Sequence, residues 1–434
     1  MKKAVILVSS LLPVSLLLLS CSGTTSSGSS TSGLKFRAFV SQDVSGGSVG
    51  AGVQIIDAQT DRQGFVSPIA AGATPGMMVV TPSLGQTLVF SPADNALTFI
   101  NNAAEAPSNR IILPGFTESL VVTSDSETGY VAVPTAAIVG QPPGAVEVIN
   151  LNSGVIRAEV NVPAVRFISI GHSGNRLLAF SDSPDSDVPL CANQVTCLFV
   201  ITPSNIGTQT NPVVAVPGFD HPVAAFFSGD DTTAYVVNCG PECGGTQASV
   251  QTLDLSQDPP VAGLPAPVPA ASFAVVDGTT MYLGGTPVPA SPCTGQTTAA
   301  TSCGLLTVFD LTSMTVVNPA PIIITDGYHN RMAFGANGQL FVGARSCTEI
   351  IPPIPPPQDA EVRGCLSIYN TQTGAVVIPP ANGDATGIQP ISNRSVVYVV
   401  QGGELQIYDT TTDKLQKTQI DIGGEAIDVK TVDF

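Results

Sequence analysis

Cysteine is the residue type with the clearest chemical options in this 434-residue chain. Cys239 and Cys243 lie four positions apart around Gly-Pro-Glu. This spacing is compatible with a redox pair, half of a metal site or a disulfide. A redox pair normally opens a helix that lowers the thiol pKa, and no helical pattern follows Cys243. Eight of the nine cysteines fall in sequential pairs, none with a histidine within a few residues, so local disulfides are favoured over zinc sites. The predicted pairs are Cys191 with Cys197, Cys239 with Cys243, Cys293 with Cys303 and Cys347 with Cys365.

A second set of candidates consists of charged residues and histidines just before, or at the start of, apolar segments. Together they suit a small anion, a metal or acid–base chemistry. The simpler interpretation is a row of solvated loops, and no spacing rule makes metal ligands of Asp220, His221 and His329. We predict no catalytic residue among them. The set is Glu118, Arg166, Asp220, His221, His329, Arg331 and Glu425.

Alternating carboxylates follow Ser181, and their oxygens suit a hard cation such as calcium. Asp182, Asp185 and Asp187 are therefore weak calcium candidates. The segment lacks the glycine and the terminal glutamate of an EF-hand loop, and no other cofactor is expected. The sequence contains no P-loop, nucleotide fingerprint or Ser-His-Asp constellation.

The amino terminus has the pattern of a targeting segment. Lys2 and Lys3 precede an apolar run, and Leu18-Leu19-Ser20-Cys21 resembles the bacterial lipobox. The resemblance implies a signal peptide over residues 1–20, a fatty-acylated Cys21 (with palmitate among its acyl chains) and a Ser/Gly/Thr-rich tether over 21–33. The alternatives are an ordinary signal peptide or a membrane span. Ser22 after the cysteine favours the outer membrane in a host that has one, with the chain facing the periplasm or exterior.

The composition of the full chain limits the class of fold that residues 34–434 can adopt. Charged residues make up 11%, there are 42 glycines and 36 prolines, and tryptophan is absent. Abundant Val, Ile, Thr, Gly and Pro favour strands and turns over helices. A formal charge of −17 argues against nucleic acid as a partner. We expect a monomer that meets the membrane only through its lipid.

A recurring unit of apolar strands organises residues 34–434. Eight marker strands end in Asp, Asn or Thr at intervals of 39 to 60 residues, and a second apolar strand precedes each. Four-stranded units of this length are typical of β-propeller blades. We therefore predict an all-β propeller of eight blades, or seven if one weak unit is an insertion. The amino-terminal unit lacks its first strand, and a carboxy-terminal strand over 426–434 is predicted to complete it and close the ring. The markers end at Asp57, Asn101, Asn150, Thr202, Asp254, Asp310, Asn370 and Asp409.

Two blades carry a more specific signature. Tyr235-Val236-Val237-Asn238, preceded by GDDTTA, resembles the YVTN repeat of extracytoplasmic β-propellers, and Tyr398-Val399-Val400-Gln401 resembles it again. The resemblance covers most of 34–434 loosely and departs from the family where blades lack its Asn-Pro entry. The resemblance implies a propeller of a kind often used for binding at the cell surface. It implies no catalytic residues in this sequence.

Two functions fit these features. The favoured one is an envelope-anchored binding or scaffolding propeller whose cysteine-stapled loops share one face with the candidate residues. The alternative is a propeller enzyme, such as a lactonase-like hydrolase, with a polar site at the channel mouth. A quinoprotein enzyme is disfavoured because it needs a stacking tryptophan.

Overall fold

Antiparallel sheets account for almost all regular structure in the described part of the chain. The computed structural model describes residues 31–44, 50–182, 197–289, 303–318, 320–348, 364–416 and 420–433. These residues belong to one compact unit that begins at Thr31. They contain 33 strands and three short 3-10 helices, at Pro92–Asp94, Pro203–Asn205 and Gly240–Cys243. None of the described helices is long and apolar enough to span a bilayer.

The strands form eight sheets, which we number as blades 1 to 8 in chain order. Blade 1 contains β1 (Arg37–Asp43), β2 (Gly52–Asp57), β3 (Arg62–Gln63) and β33 (Glu425–Thr431). Blade 2 contains β4 (Met78–Val80), β5 (Gln86–Ser91), β6 (Ala96–Asn101) and β7 (Ala106–Ile112). Blade 3 contains β8 (Ser119–Val122), β9 (Thr128–Val133), β10 (Ala145–Asn150) and β11 (Val155–Asn161). Blade 4 contains β12 (Val165–Ile170), β13 (Leu177–Ser181), β14 (Leu198–Ile201) and β15 (Val213–Val216).

The second half of the chain repeats the arrangement. Blade 5 contains β16 (Pro222–Phe227), β17 (Thr233–Asn238), β18 (Ser249–Asp254) and β19 (Val261–Pro267). Blade 6 contains β20 (Phe273–Asp277), β21 (Thr280–Gly285), β22 (Gly304–Asp310), β23 (Thr315–Val316) and β24 (Ile322–Ile324). Blade 7 contains β25 (Tyr328–Phe334), β26 (Gln339–Arg345), β27 (Leu366–Asn370) and β28 (Val376–Val377). Blade 8 contains β29 (Ala385–Pro390), β30 (Val396–Gln401), β31 (Glu404–Asp409) and β32 (Lys414–Leu415).

The innermost strand of each blade contacts the innermost strand of the next, and the series closes on itself. The order is β33, β4, β8, β12, β16, β20, β25 and β29, which returns to β33. The eight sheets therefore form a ring around a central channel. The fold is an eight-bladed β-propeller, as the sequence predicts.

Ring closure follows the predicted route. β33 pairs antiparallel with β1, with Val429 opposite Val40, so the carboxy-terminal strand is the innermost strand of blade 1. The Arg37 side chain joins the two ends of the chain through an ion pair of 2.8 Å to Glu105 and another to Asp433. Blade 1 therefore has four strands, although its innermost strand comes from the other end of the chain.

The hydrophobic core lies between adjacent blades. All six residues of β30 are buried, and Tyr130 of blade 3 shares one apolar cluster with Phe199 of blade 4. The middle strands are covered on both faces by neighbouring blades, which explains their nearly continuous runs of apolar residues. Outer strands such as β7 and β11 are mostly exposed and less apolar.

The Asp and Asn residues that end the third strands hold the turns that follow. The Asp57 carboxylate accepts the backbone N–H of Gln59 at 3.0 Å, and Asp409 accepts that of Thr411 at 2.7 Å. Asx turns of this kind are the local reason why the marker residue recurs.

Candidate functional site at the channel mouth

Antiparallel strands bring three parts of each blade to one end of the channel. These parts are the entry to the innermost strand, the end of the second strand and the loop between the second and third strands. Glu118 precedes β8, Arg166 is the second residue of β12, and His221 precedes β16. We call this end of the channel the mouth.

Disulfide bonds close loops at the mouth. Cys239–Cys243 and Cys347–Cys365 have Cα–Cα distances of 5.7 and 5.4 Å. Both pairings agree with the sequence prediction. Cys197 and Cys303 are also disulfide-bonded, and their predicted partners, Cys191 and Cys293, lie outside the described residues.

The smaller staple encloses a 3-10 turn that needs glycine. Gly240 has a φ of +62°, and a Cβ there would lie 2.2 Å from the backbone nitrogen of Ala248. The Gly-Pro-Glu sequence therefore serves the geometry of a tight ring.

Aspartates at the entries to inner strands clasp the same loops. The Asp220 carboxylate accepts the N–H of Thr246 at 2.9 Å and that of Gln247 at 2.8 Å, and these bonds lower its pKa against the opposing effect of burial. Asp326 accepts the N–H and the hydroxyl of Thr348, both at 2.7 Å. Asp220 also lies 3.0 Å from Nδ1 of His221, which orients that ring. These contacts hold the described parts of the loops of blades 5 and 7 in place without a ligand.

Two contiguous cavities occupy the mouth. The inner one, of about 390 Å³, is lined by residues of blades 1 to 7, and the outer one, of about 430 Å³, lies between blades 4, 5 and 7. Phe167, Val223 and Tyr328 line both. Volumes of this size suit a small organic ligand.

An ion-pair cluster has members in the linings of both cavities. Arg166 lies 2.9 Å from the Glu118 carboxylate and 3.5 Å from that of Asp182, and its guanidinium stacks 4.9 Å from the Phe167 ring centre. Asp182, predicted as a weak calcium ligand, therefore lies at the mouth and faces an arginine. Asp185 and Asp187 lie outside the described residues. Within the described ranges, no group of three or more His, Cys, Asp or Glu side chains is placed to hold a metal ion.

Two further arginines line the inner cavity, and neither forms an ion pair with a carboxylate in the part of the chain that the structure describes. Arg331 donates from Nε to the carbonyl of Thr386 at 3.0 Å and from Nη1 to that of Asn330 at 2.9 Å. The Arg345 side chain makes no hydrogen bond or ion pair with the described residues, and its Nε is buried. Burial, and then the charge of Arg331, lowers the pKa of Arg345.

Glu242, enclosed by the Cys239–Cys243 staple, is a half-buried carboxyl group in the outer cavity. It accepts the N–H of Thr286 of the neighbouring blade at 2.9 Å. Burial raises its pKa to about 7. It can therefore exchange a proton near neutral pH.

The structure brings some predicted site residues together and separates others. Glu118, Arg166, His221 and Arg331 line the mouth. His329 is fully buried, with Nε2 3.0 Å from the Thr325 carbonyl oxygen, and Glu425 is exposed at the start of β33, away from both cavities. Asp220 accepts hydrogen bonds from the backbone of the loop between β17 and β18.

Sequence reasoning missed three residues that line the mouth. Arg345 ends a second strand, Tyr328 begins a first strand, and Glu242 lies inside a staple. Since antiparallel pairing returns the end of strand two to the entry of strand one, applying that rule to β26 would have found Arg345.

Comparisons with known proteins support the fold. No protein-family model and no curated protein matches the sequence. The structure is similar to the dihydro-heme d1 dehydrogenase NirN in complex with DHE, with a TM-score of 0.59 and 12% identity over 92% of this chain and 75% of that one. A functionally unknown protein from Desulfotomaculum acetoxidans DSM 771 gives 0.49 and 13% identity over 92% and 98%, and the hydrazine synthase of Kuenenia stuttgartiensis gives 0.42 and 13% over 77% and 76%. At such identity the likeness to NirN concerns the fold alone.

Proposed function

We propose that this propeller is an envelope-anchored binding protein that takes a small ligand at its mouth. The observation that carries the proposal is the inner cavity, where seven blades converge on two arginines that form no ion pair with any carboxylate of the described residues. Buried or half-buried cations without partners are costly, so proteins retain them where they serve a purpose. The loops that are closed by disulfides and bound by Asp220 and Asp326 support the same location for the site. Loops that are already ordered lose less conformational entropy when a ligand binds.

The anchor is the second part of the proposal. Residues 1–20 act as a signal peptide, Cys21 receives the lipid, residues 21–33 form the tether, and the propeller of 34–434 works as a monomer outside the cytoplasm. The YVTN-like strands support this location, since they occupy equivalent second-strand positions in β17 and β30. A Cys21→Ser variant should lose palmitate labelling and leave the membrane fraction. Retention in that fraction would contradict the anchor.

Ligand binding is tested by thermal unfolding of the purified full chain with and without a low-molecular-mass extract of its envelope. A ligand that binds only the folded state raises Tm by mass action. Val223→Phe, which fills the mouth, should abolish the rise. The matched control is Val214→Phe on the outer strand β15, where Val214 is 36% exposed. An equal rise in the Val223 variant would place the binding site elsewhere.

A hydrolytic function is the second candidate, and Glu242 is the observation that favours it. A carboxyl group with a pKa of about 7 in a cavity is suited to general acid–base catalysis. If the extract contains a substrate, the wild type should convert it and Glu242→Gln should not. Recovery of the retained ligand unchanged supports binding alone.

A further inference from the structure

Arg331 and Arg345, which have no carboxylate partner among the described residues, indicate the chemistry of the ligand. We propose that the inner cavity binds small carboxylic acids with an apolar body and one hydroxyl or amino donor, with the carboxylate held by Arg331 and Arg345. The proposal rests on the function proposed above and adds the class of ligand.

The charges around the cavity leave a net positive site. Glu118, the carboxylate that lines the cavity, is paired with Arg166. Asp384 raises the pKa of Arg345 electrostatically, but its carboxylate accepts the N–H of Ser346 at 2.7 Å and forms no ion pair with the arginine. Both Arg331 and Arg345 therefore remain without a counter-ion among the described residues.

The donors present suit a planar carboxylate. Arg345 has all its N–H groups unused by the described residues, and Nη2 of Arg331 makes no hydrogen bond with them. A guanidinium fork matches a carboxylate with two parallel hydrogen bonds. A phosphate ester could use the same fork, so phenyl phosphate is the competing ligand in the test below.

A buried acceptor beside the arginines points to a second group on the ligand. The Asn330 amide oxygen is buried and accepts no hydrogen bond from the described residues. Burying an acceptor without a donor is costly because the acceptor loses its hydrogen bond to water. A hydroxyl or amino group next to the carboxylate would satisfy it.

Apolar side chains also line the cavity and can accept a hydrocarbon or aromatic body. Met77, Phe116, Phe273 and Ile427 line it together with Phe167. Phe116 is 45% exposed and makes an edge contact with Phe90 at 5.7 Å between ring centres. Such a ring can cover an apolar ligand, which lowers the cost of its own exposure.

The test is isothermal titration of the full chain with 3-phenyllactate, its methyl ester, 3-phenylpropionate and phenyl phosphate. We expect the lactate to bind about tenfold or more tightly than the ester, because the ester loses a charge-assisted hydrogen bond. 3-Phenylpropionate should bind more weakly than the lactate because it lacks the donor for Asn330. Arg345→Met should weaken the lactate at least tenfold, and Arg110→Met, which removes a charge from the outer strand β7, should leave it unchanged.

Several outcomes would overturn the proposal. They are equal affinity for the acid and its ester, tighter binding of phenyl phosphate, no binding of any acid, or an unchanged affinity in Arg345→Met. The comparison of the acid with its ester uses the wild type alone. It therefore tests the need for a carboxylate even if Arg345→Met fails to fold. The Tm experiment with the envelope extract is independent of this titration. If the extract raises the Tm of the wild type but not that of Val223→Phe, while none of the acids binds, the mouth binds another class of ligand.

Discussion

At the residue scale, one side chain can both hold a loop in place and exchange a proton. Glu242 lies between two bonded cysteines, bonds to Thr286 of the next blade and keeps a pKa of about 7 because it is partly buried. Its position is set by the ring of Cys239–Cys243, and its proton affinity is set by the contact between blades 5 and 6.

Glu242 makes stability depend on pH. Its folded-state pKa lies above the ordinary value of 4.5, so its contribution is complete below that value and is lost as pH rises to about 7. Glu242→Gln should therefore reduce the loss of stability between pH 5 and pH 8 by about 1 kcal/mol, a figure lowered for solvent screening. Denaturant unfolding at both pH values measures it, with Glu127→Gln at an exposed turn as the control. Equal losses in wild type and Glu242→Gln would show that the group does not titrate in this range.

His329 illustrates a residue whose type suggests chemistry but whose position suggests packing. Its ring lies against the backbone of blade 6, where a Cβ on Gly304 would come within 2.7 Å of the ring. Burial lowers its pKa to about 4, so it is neutral at pH 7. His329→Ala should cost about 2–4 kcal/mol of stability because it leaves a cavity between blades. Unfolding in denaturant measures this, and a variant as stable as the wild type would contradict the packing role.

The candidate site was partly predictable for a physical reason. Entry residues such as Glu118 and Arg331 could be placed at one face, because strand alternation alone determines the end of the channel that they occupy. Burial could not be predicted: Arg331 faces the cavity and His329 packs between blades, although only two positions separate them in β25. The β-bulge between His329 and Arg331 shifts the alternation at this point.

At the element scale, the disulfide-bonded loops of blades 5 and 7 are each held by two kinds of contact. A disulfide closes each loop, and an aspartate from the entry of the inner strand binds its backbone. Cysteine spacing predicted the staples. The clasp by Asp220 was not predictable, because it depends on contacts 26 and 27 residues away in the chain.

The two described staples should differ in stability contribution. Cys347–Cys365 spans 18 residues and Cys239–Cys243 spans four. Chain-entropy arguments give about 3 kcal/mol for the longer loop and about 2 kcal/mol for the shorter. Paired Cys→Ser variants, compared by denaturant unfolding, should preserve this order. A larger loss from the shorter loop would show that native contacts, rather than unfolded-state entropy, dominate.

At the scale of the whole molecule, the pairing of β33 with β1 closes the ring, and the Arg37 side chain adds an ion-pair contact there. Arg37 joins Glu105 of blade 2 and Asp433 beyond β33, and its side chain is only 11% exposed. The blade count and the closing strand were predictable, since the missing strand of blade 1 and the orphan strand at the carboxy terminus match. The closing ion pair was not, since it joins residues 396 positions apart.

Breaking that contact should weaken the whole ring. Arg37→Met leaves two carboxylates buried without a cation, and we expect a loss of about 3–5 kcal/mol. Arg110→Met breaks an exposed pair with Asp94 and should cost about 1 kcal/mol or less. Calorimetry of both variants measures the difference, and equal costs would show that closure does not depend on Arg37.

The central claim is that the mouth is a binding site, and native mass spectrometry of the full chain purified from its own envelope tests it most directly. The wild type should carry a small molecule that dissociates on activation in the gas phase. Val223→Phe should lack this molecule, and Val214→Phe should retain it. A wild type of bare protein mass, or the same adduct on Val223→Phe, would contradict the claim.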